Sequence, residues 1–212
     1  MREGKSIVPP RQKAQQRRLR LIPFLMAIAL SAPASAVMQR TDVTLDPVQT
    51  EIDWTLGDVL HTVHGTFRLK SGALAFDLRT GDTIGALIVD AASGQSGNGT
   101  RDRKMKKEIL ETQKFSEIVF LPKHVIGTLG PGTSNLQVRG VFRIHGQDHD
   151  LTLPIEVQQN AGDLKATTHF DVPYQAWGMK NPSTLFLKVD NKVQIAIVAA
   201  GKIVASTTAV SS

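Results

Sequence analysis

The sequence predicts an all-β protein with one short helix, and three observations support this. From Arg40 onward, apolar and polar residues alternate along several stretches, so each stretch has one dry face and one wet face. Turn-forming sequences such as Ser71-Gly72 and Gly146-Gln147-Asp148 join these stretches. Helical spacing of apolar residues occurs only near residues 102–111. Strands joined by short turns indicate an antiparallel meander. A closed barrel would remove its exposed edges, although periodicity alone also permits a sandwich.

The first 36 residues have the features of an export signal and are set apart from the fold. Seven Lys and Arg residues lie within residues 1–20, an apolar run covers 19–30, and Ala34-Ser35-Ala36 matches a cleavage site. We therefore expect cleavage near Ala36 and a periplasmic or secreted protein. The apolar run is shorter than the roughly 20 residues that span a bilayer, so we predict no stable membrane anchor.

Setting residues 1–36 aside changes the charge of the chain. Of the 25 Lys and Arg residues seven lie there, which leaves 18, and of the 19 Asp and Glu residues one lies there, which also leaves 18. The formal net charge of +6 therefore comes from the export signal, and we predict no nucleic-acid partner. The chain has no cysteine, so it has neither a disulfide nor a thiol for lipid attachment.

The rest of the chain has the length of one domain. We assign residues 37–203 to a β-barrel and expect the small, polar residues 204–212 to be a disordered tail. Before the helix, alternation places one apolar set on the inner face of the strands. The set comprises Ile52, Trp54, Leu56, Val63, Gly65, Phe67, Leu69, Leu74, Phe76 and Leu78. Residues 84–92 are apolar on both faces, so we expect this strand to pass beneath the helix or a loop.

The predicted helix at about 102–111 combines a narrow apolar stripe with a dense group of cations. Met105, Ile109 and Leu110 form the stripe, and Asn98, Thr100 or Asp102 could cap the N-terminus. The cations crowd its N-terminal half, against the helix dipole, so packing or a nearby anion should hold the helix in place. Either the cations form a solvated face, or one or two of them bind a phosphate or lipid headgroup at the barrel mouth. They are Arg101, Arg103, Lys104, Lys106 and Lys107.

Further strands follow the helix, and two features interrupt their pattern. Alternation resumes at 118–120, 136–144, 151–157, 164–172 and 193–198. Gly65 and Gly140 lie in the middle of strands, which indicates curvature of a barrel wall or close approach of a ligand. Residues 172–183 break the strand pattern but contain Tyr174, Trp177 and Met179, so this loop is either a lid over a ligand or a plug of the core.

Catalytic and metal-binding patterns are weak in this sequence. His145 and His149 are four residues apart, but they flank a predicted hairpin turn rather than sharing a helix face. The sequence has no nucleophile elbow, no paired carboxylates on the predicted inner faces, and no phosphate-binding loop. We predict no catalytic residue and no metal site.

Five short motifs, taken together, resemble the YceI-like family. They are Leu45-Asp46-Pro47, His64-Gly65-Thr66-Phe67, Arg101-Asp102 with Met105, Ile118-Val119-Phe120, and Val138-Arg139-Gly140-Val141-Phe142-Arg143-Ile144-His145-Gly146. Their order and spacing extend the resemblance over residues 42–201. Two segments depart from the family pattern, Ile109-Leu110-Glu111 and Tyr174-Gln175-Ala176-Trp177-Gly178.

The resemblance implies an extended, lipocalin-like antiparallel β-barrel of about eight strands with one short helix. It also implies export to the periplasm and an interior that binds, and can carry, a polyisoprenoid, a quinone-like molecule or another amphiphile. No catalytic residues and no cofactor, other than a bound isoprenoid lipid, come with it. The candidate apolar pocket is lined by Ile52, Trp54, Val63, Phe67, Leu74, Phe76, Met105, Ile109, Ile118, Phe120, Val138, Phe142, Phe170, Tyr174 and Trp177.

Two other functions stay open from the sequence. One is a metal-dependent hydrolase that uses the histidines, and the other is a filled barrel that serves as a structural or stress-related interaction module. The sequence identifies no protein partner and leaves the oligomeric state open, a homodimer included.

Overall fold

In the part of the chain that the structure describes, nine antiparallel strands form one sheet that closes on itself, which confirms the predicted barrel and excludes the sandwich. This computed structural model describes residues 37–57, 62–183 and 189–209, and the predicted export signal lies outside these ranges. Within them, no helix is long and apolar enough to cross a membrane. The strands are β1 (Val37–Leu45), β2 (Glu51–Gly57), β3 (Thr62–Asp77), β4 (Thr83–Gln95), β5 (Glu117–Ile126), β6 (Gly132–Ile144), β7 (Gln147–Asn160), β8 (Asp163–Val172) and β9 (Val193–Ala209).

The nine strands occupy eight positions around the barrel because β1 and β2 share one position. Both strands pair with β3 on one side and with β9 on the other. Leu45 at the end of β1 pairs with Gly201, and Glu51 at the start of β2 pairs with Val198. The segment 46–50 between them therefore bulges from a single interrupted strand. Asp46 holds this bulge, since its carboxylate accepts hydrogen bonds from the backbone N–H groups of Val48 and Gln49.

On each strand, alternate side chains point into the interior of the barrel. The register of β6 and β7 places the inward residues Val138 and Leu153 opposite each other, and Thr152 and Arg139 on the outer face. Two groups of buried apolar residues result. One surrounds Phe142 and Tyr174 at the end of the barrel near the helix, and the other surrounds Leu136 toward the opposite end.

The two mid-strand glycines make room for aromatic rings of the protein itself. Trp54 pairs with Gly65 across β2 and β3, and a Cβ atom on Gly65 would lie under 3.0 Å from the Trp54 ring. A Cβ atom on Gly140 would lie 2.7 Å from the ring of Phe120. Cross-strand aromatic rings commonly cover glycines in this way. The close approach expected at these glycines therefore comes from the chain's own side chains.

The helix begins and ends earlier than predicted. Helix α1 (Gly99–Lys104) is followed directly by one turn of π-helix (Met105–Ile109), so helical structure spans 99–109 rather than 102–111. It begins at 99 because the Asn98 side chain accepts hydrogen bonds from the N–H groups of Thr100 and Arg101. It ends before Glu111, whose φ of 47° is incompatible with a right-handed helix.

The C-terminal boundary of the barrel also differs from the prediction. Strand β9 continues beyond residue 203 to Ala209, and it pairs with β1 over this length, with Val37 opposite Ala209. The disorder predicted for 204–212 is therefore wrong for residues 204–209, where pairing with β1 satisfies the backbone. Residues 210–212 lie outside the described ranges.

Candidate functional site

The barrel interior contains two adjoining cavities. The outer cavity has a volume of about 560 Å³ and lies at the end covered by the helix. The inner cavity has a volume of about 160 Å³ and extends toward the opposite end. Six residues line both cavities, so the two adjoin along the barrel axis. These residues are Ile52, Val89, Ile118, Phe142, Phe170 and Ile197.

The inner cavity is apolar because its few hydroxyl groups are bonded to the backbone. Thr168 Oγ1 donates to the carbonyl of Pro154 at 2.7 Å, and Thr83 Oγ1 donates to the carbonyl of Gly81 at 2.9 Å. Thr50 Oγ1 is paired with the backbone of Ala200. The other described residues of the lining, such as Leu153 and Ala199, have aliphatic or aromatic side chains. A ligand here would meet almost only hydrocarbon.

The outer cavity is also largely apolar, and Trp54 and Tyr174 each contribute a polar group to its wall. Tyr174 is 4% exposed, and its hydroxyl donates a hydrogen bond to the carbonyl of Asp190 at 2.6 Å. Burial raises the pKa of the Tyr174 hydroxyl above its ordinary value, with a smaller contribution from Asp190, so Tyr174 stays neutral. The Nε1–H of Trp54 is buried, and it has no acceptor among the residues that the structure describes.

Cations from the helix lie at the rim of the outer cavity. Arg101 and Lys104 line it together with Asn98 and Thr100. Arg101 is held in place by Ser96, since its Nε donates to Ser96 Oγ at 2.8 Å. Among the described lining residues of both cavities there is no aspartate, glutamate or histidine. The described part of the lining therefore offers no carboxylate or imidazole for proton transfer.

The structure brings nearly all the predicted pocket residues together in one lumen. Leu74, Phe76, Phe120 and Val138 line the inner cavity. Ile52, Ile118, Phe142 and Phe170 line both cavities. The outer cavity is lined by Trp54, Val63, Phe67, Met105, Ile109 and Tyr174.

Trp177 is the exception and lines neither cavity. Its ring stacks on His149, with centroids 4.0 Å apart and planes at 9°, and it also packs 5.8 Å from Phe142. The loop that contains it thus contributes Tyr174 and Met179 to the outer cavity and Trp177 to the packing beside it. The loop therefore forms part of the cavity wall and also packs against the core.

His145 and His149, the pair that the metal-dependent alternative would use, lie in different surroundings. His145 packs against Phe115, with its Nε2 3.4 Å from a carboxylate oxygen of Glu111, whereas His149 stacks on Trp177. In the described part of the chain, no group of three or more His, Asp or Glu residues is placed to hold a metal ion. His145 instead forms the β6–β7 turn with Gly146, both at positive φ.

Several lining residues were absent from the predicted pocket. Val43 and Leu45 lie on β1, directly before the interruption at 46–50 that separates this strand from the alternation of β2. Leu153 and Val157 lie in the alternating stretch 151–157, but periodicity alone could not distinguish a residue that lines a cavity from one in a filled core. Met179 enters through the loop, where no periodic signal applies.

Comparisons with known proteins give one family and several related structures. The family model for the YceI-like domain matches residues 43–200. The structure is similar to Burkholderia cenocepacia BcnA, with a TM-score of 0.60 and 16% identity over 74% of this chain and 98% of that one. It is also similar to a polyisoprenoid binding domain from Saccharophagus degradans implicated in plant cell wall breakdown, with a TM-score of 0.57 and 15% identity over 76% and 97% of the two chains. No curated protein sequence matches significantly.

Proposed function

This chain belongs to the YceI-like family, and from that premise we propose that it binds one long apolar molecule lengthwise in its lumen without catalysing a reaction. The ligand class is a polyisoprenoid, a quinone-like molecule or another long-chain amphiphile. One observation carries this proposal: two adjoining apolar cavities, of about 560 and 160 Å³, run along the barrel axis. The combined volume of the two cavities lies in the range of about 300–1,000 Å³ that is typical of small-molecule sites. The Saccharophagus degradans domain, which is described as polyisoprenoid binding, supports the choice of class.

Burial of the hydrocarbon tail supplies the affinity. Each buried methylene contributes about 0.8 kcal/mol, so a tail of many carbons binds tightly without specific polar contacts. The backbone-bonded hydroxyl groups of Thr83 and Thr168 do not compete for this tail. The open space also weighs against the filled-barrel alternative, because side chains do not occupy the whole axis.

The polar end of the ligand belongs in the outer cavity. Trp54 Nε1 is a buried donor with no acceptor in the described ranges, and leaving such a donor unpaired costs about 1–3 kcal/mol. A carbonyl or hydroxyl oxygen of the ligand would accept this hydrogen bond. Carriage of the ligand between membranes, and export to the periplasm after cleavage near Ala36, belong to the same proposal. The intact mass of the exported protein tests the cleavage site.

The direct test is mass spectrometry of solvent extracts from the natively purified protein. We expect a long-chain apolar molecule at a stoichiometry near one per chain. An extract without such a molecule, together with no uptake of polyisoprenoids in vitro, would refute the proposal.

A matched pair of tryptophan variants locates the ligand. The chain has two tryptophans, so Trp177→Phe leaves Trp54, in the outer cavity wall, as the only indole. Trp54→Phe leaves Trp177, which lines neither cavity. On titration with a polyisoprenoid alcohol, the emission of Trp54 should change and that of Trp177 should change little. Equal responses from the two variants would place the molecule elsewhere on the protein.

A further inference from the structure

We propose that the basic face of the helix docks the barrel mouth onto an anionic lipid bilayer. The basic face consists of Arg101, Arg103, Lys104, Lys106 and Lys107 on helical residues 99–109. This inference rests on the proposed function, since docking would place the outer cavity against the source of its apolar ligand. It adds an interaction surface and a partner to the binding of that ligand.

The basic face has an excess of charge that the protein does not neutralise. Within the described ranges, none of its five cations lies within 4.0 Å of a carboxylate oxygen. Three acids lie near the basic face, and two of them already have partners. Asp102 accepts hydrogen bonds from the N–H and Oγ of Ser96, and Glu111 lies beside His145. The third, Glu108, is exposed, and one carboxylate cannot balance five cations.

The charge is local to this end of the molecule. Residues 37–212 contain equal numbers of basic and acidic residues, yet five cations fall within seven residues at 101–107. Arg103 and Lys107 are four residues apart on the helix, as like charges that repel each other. An anionic surface that lies against the helix would offset this repulsion.

The position of the cations indicates a surface rather than a single headgroup. Arg101 and Lys104 line the outer cavity and could contact the head of a bound ligand. Arg103 and Lys107 are exposed, line neither cavity, and lie one turn apart on the same side of the helix. One headgroup in the mouth would not reach all four, whereas a bilayer presents many anionic groups in one plane.

Docking also solves the problem of ligand transfer. A long apolar tail is strongly disfavoured in water, so passage from a bilayer to the lumen through bulk solvent is slow. With the mouth on the bilayer, the tail enters past Met105 and Ile109, which line the cavity beside the cations. The tail then leaves one apolar environment for another.

Vesicle binding tests this inference with the full chain, expressed for export and purified after whatever processing the cell performs. The probes are vesicles of phosphatidylcholine alone and of phosphatidylcholine with phosphatidylglycerol. We expect co-sedimentation with the anionic vesicles only, and weaker binding when salt is raised from about 0.05 to about 0.5 M. Equal binding to both vesicles, or binding to neither, would overturn the inference.

The test variant is Arg103→Glu with Lys107→Glu, which changes the basic face but spares the cavity lining. Affinity for anionic vesicles should fall at least about tenfold, because two attractive charges become repulsive. The control is Lys123→Glu with Lys165→Glu, which makes the same charge change at exposed strand positions away from the helix. The control should bind as the wild type does. Loss of binding in both variants, or in neither, would contradict docking through this face.

A third measurement separates this inference from the proposed function. Uptake of a polyisoprenoid alcohol supplied in dilute solution should be the same in the test variant and the wild type, since no lining residue changes. Normal uptake without vesicle binding by the wild type would overturn docking alone. Vesicle binding without any uptake would overturn the proposed ligand function and leave the docking surface in place.

Discussion

At the scale of single residues, Gly65 shows how a small side chain is required by a large neighbour. Any Cβ at this position meets the Trp54 ring and the carbonyl oxygen of Gln95. We expect Gly65→Ala to destabilise the protein by about 1–3 kcal/mol, because overpacking forces the ring or the strand to move. Urea unfolding measures this loss. Gly130→Ala is the control, since nothing lies within 4 Å of its Cβ position, and it should change stability by less than about 0.5 kcal/mol. Equal stability of the two variants would contradict this account.

His149 links stability to pH through its stacking on Trp177. Burial lowers the pKa of His149 below its ordinary value of 6.5, and the neighbouring Asp148 offsets this in part. The unfolded chain therefore binds a proton at a higher pH than the folded one does. The stability that depends on neutral His149 is present above about pH 6.5 and is lost as the pH falls from there toward the lowered pKa.

The variant His149→Phe tests this pH dependence. It keeps a ring for stacking but cannot titrate, so the difference in stability between pH 7.5 and 5.5 should shrink relative to the wild type. His169→Gln removes an exposed histidine on the outer face and should leave that difference unchanged. Chemical denaturation at the two pH values provides the measurement. An unchanged difference in His149→Phe would show that the stack tolerates the charged ring.

Trp177 shows a limit of sequence reasoning at this scale. Its aromatic character and its place in an irregular loop suggested a pocket residue, and Tyr174 in the same loop does line the cavity. Trp177 instead stacks on His149, a contact between residues 28 positions apart that no local pattern encodes. Loop side chains follow tertiary contacts, whereas strand side chains follow a period of two.

At the scale of elements, the helix depends on a cap that the sequence identified only as one of three candidates. Asn98 accepts hydrogen bonds from two N–H groups of the first turn, each at 3.1 Å. We expect Asn98→Ala to loosen this turn by about 1 kcal/mol, seen as faster hydrogen exchange of the amides of residues 99–104. Asn98→Asp keeps an acceptor oxygen and should preserve the protection. Unchanged exchange in the alanine variant would mean that packing alone holds the helix.

The boundaries of this helix were the part of the element that the sequence did not predict. Met105 and Ile109 were correctly expected to face the barrel, where they line the outer cavity. The spacing of their side chains did not reveal the switch to π-helix at Met105, because π-type hydrogen bonds such as Leu110 N–H to Met105 O leave little trace in sequence. The end of the helix follows from the positive φ of Glu111, which residue type alone does not predict.

At the scale of the whole molecule, alternation predicted most of the strands but not how they close. The turn predicted at Ser71-Gly72 is wrong, because both residues pair with β4 inside the continuous strand β3, next to a register shift after Leu69. The two-residue period of β6 and β7 leaves one apolar face whether the sheet becomes a barrel or a sandwich. Closure depends on the pairing of β9 with both β1 and β2, between residues about 150 positions apart. The resemblance to a known family predicted the barrel, whereas the interruption at 46–50 between β1 and β2 was not predicted.

The inner cavity should set the longest chain that the lumen accepts. Ala199 is 4% exposed and lines this cavity, so Ala199→Phe would fill much of its approximately 160 Å³. We expect the variant to bind short isoprenoid alcohols as the wild type does and to lose affinity for the longest ones, because their tails can no longer pass Phe142 and Phe170. Competition with isoprenoids of graded length gives the measurement. Ala196→Phe, on the outer face of the same strand, is the control for added bulk. A parallel loss of affinity at every chain length would show that the inner cavity is not part of the binding site.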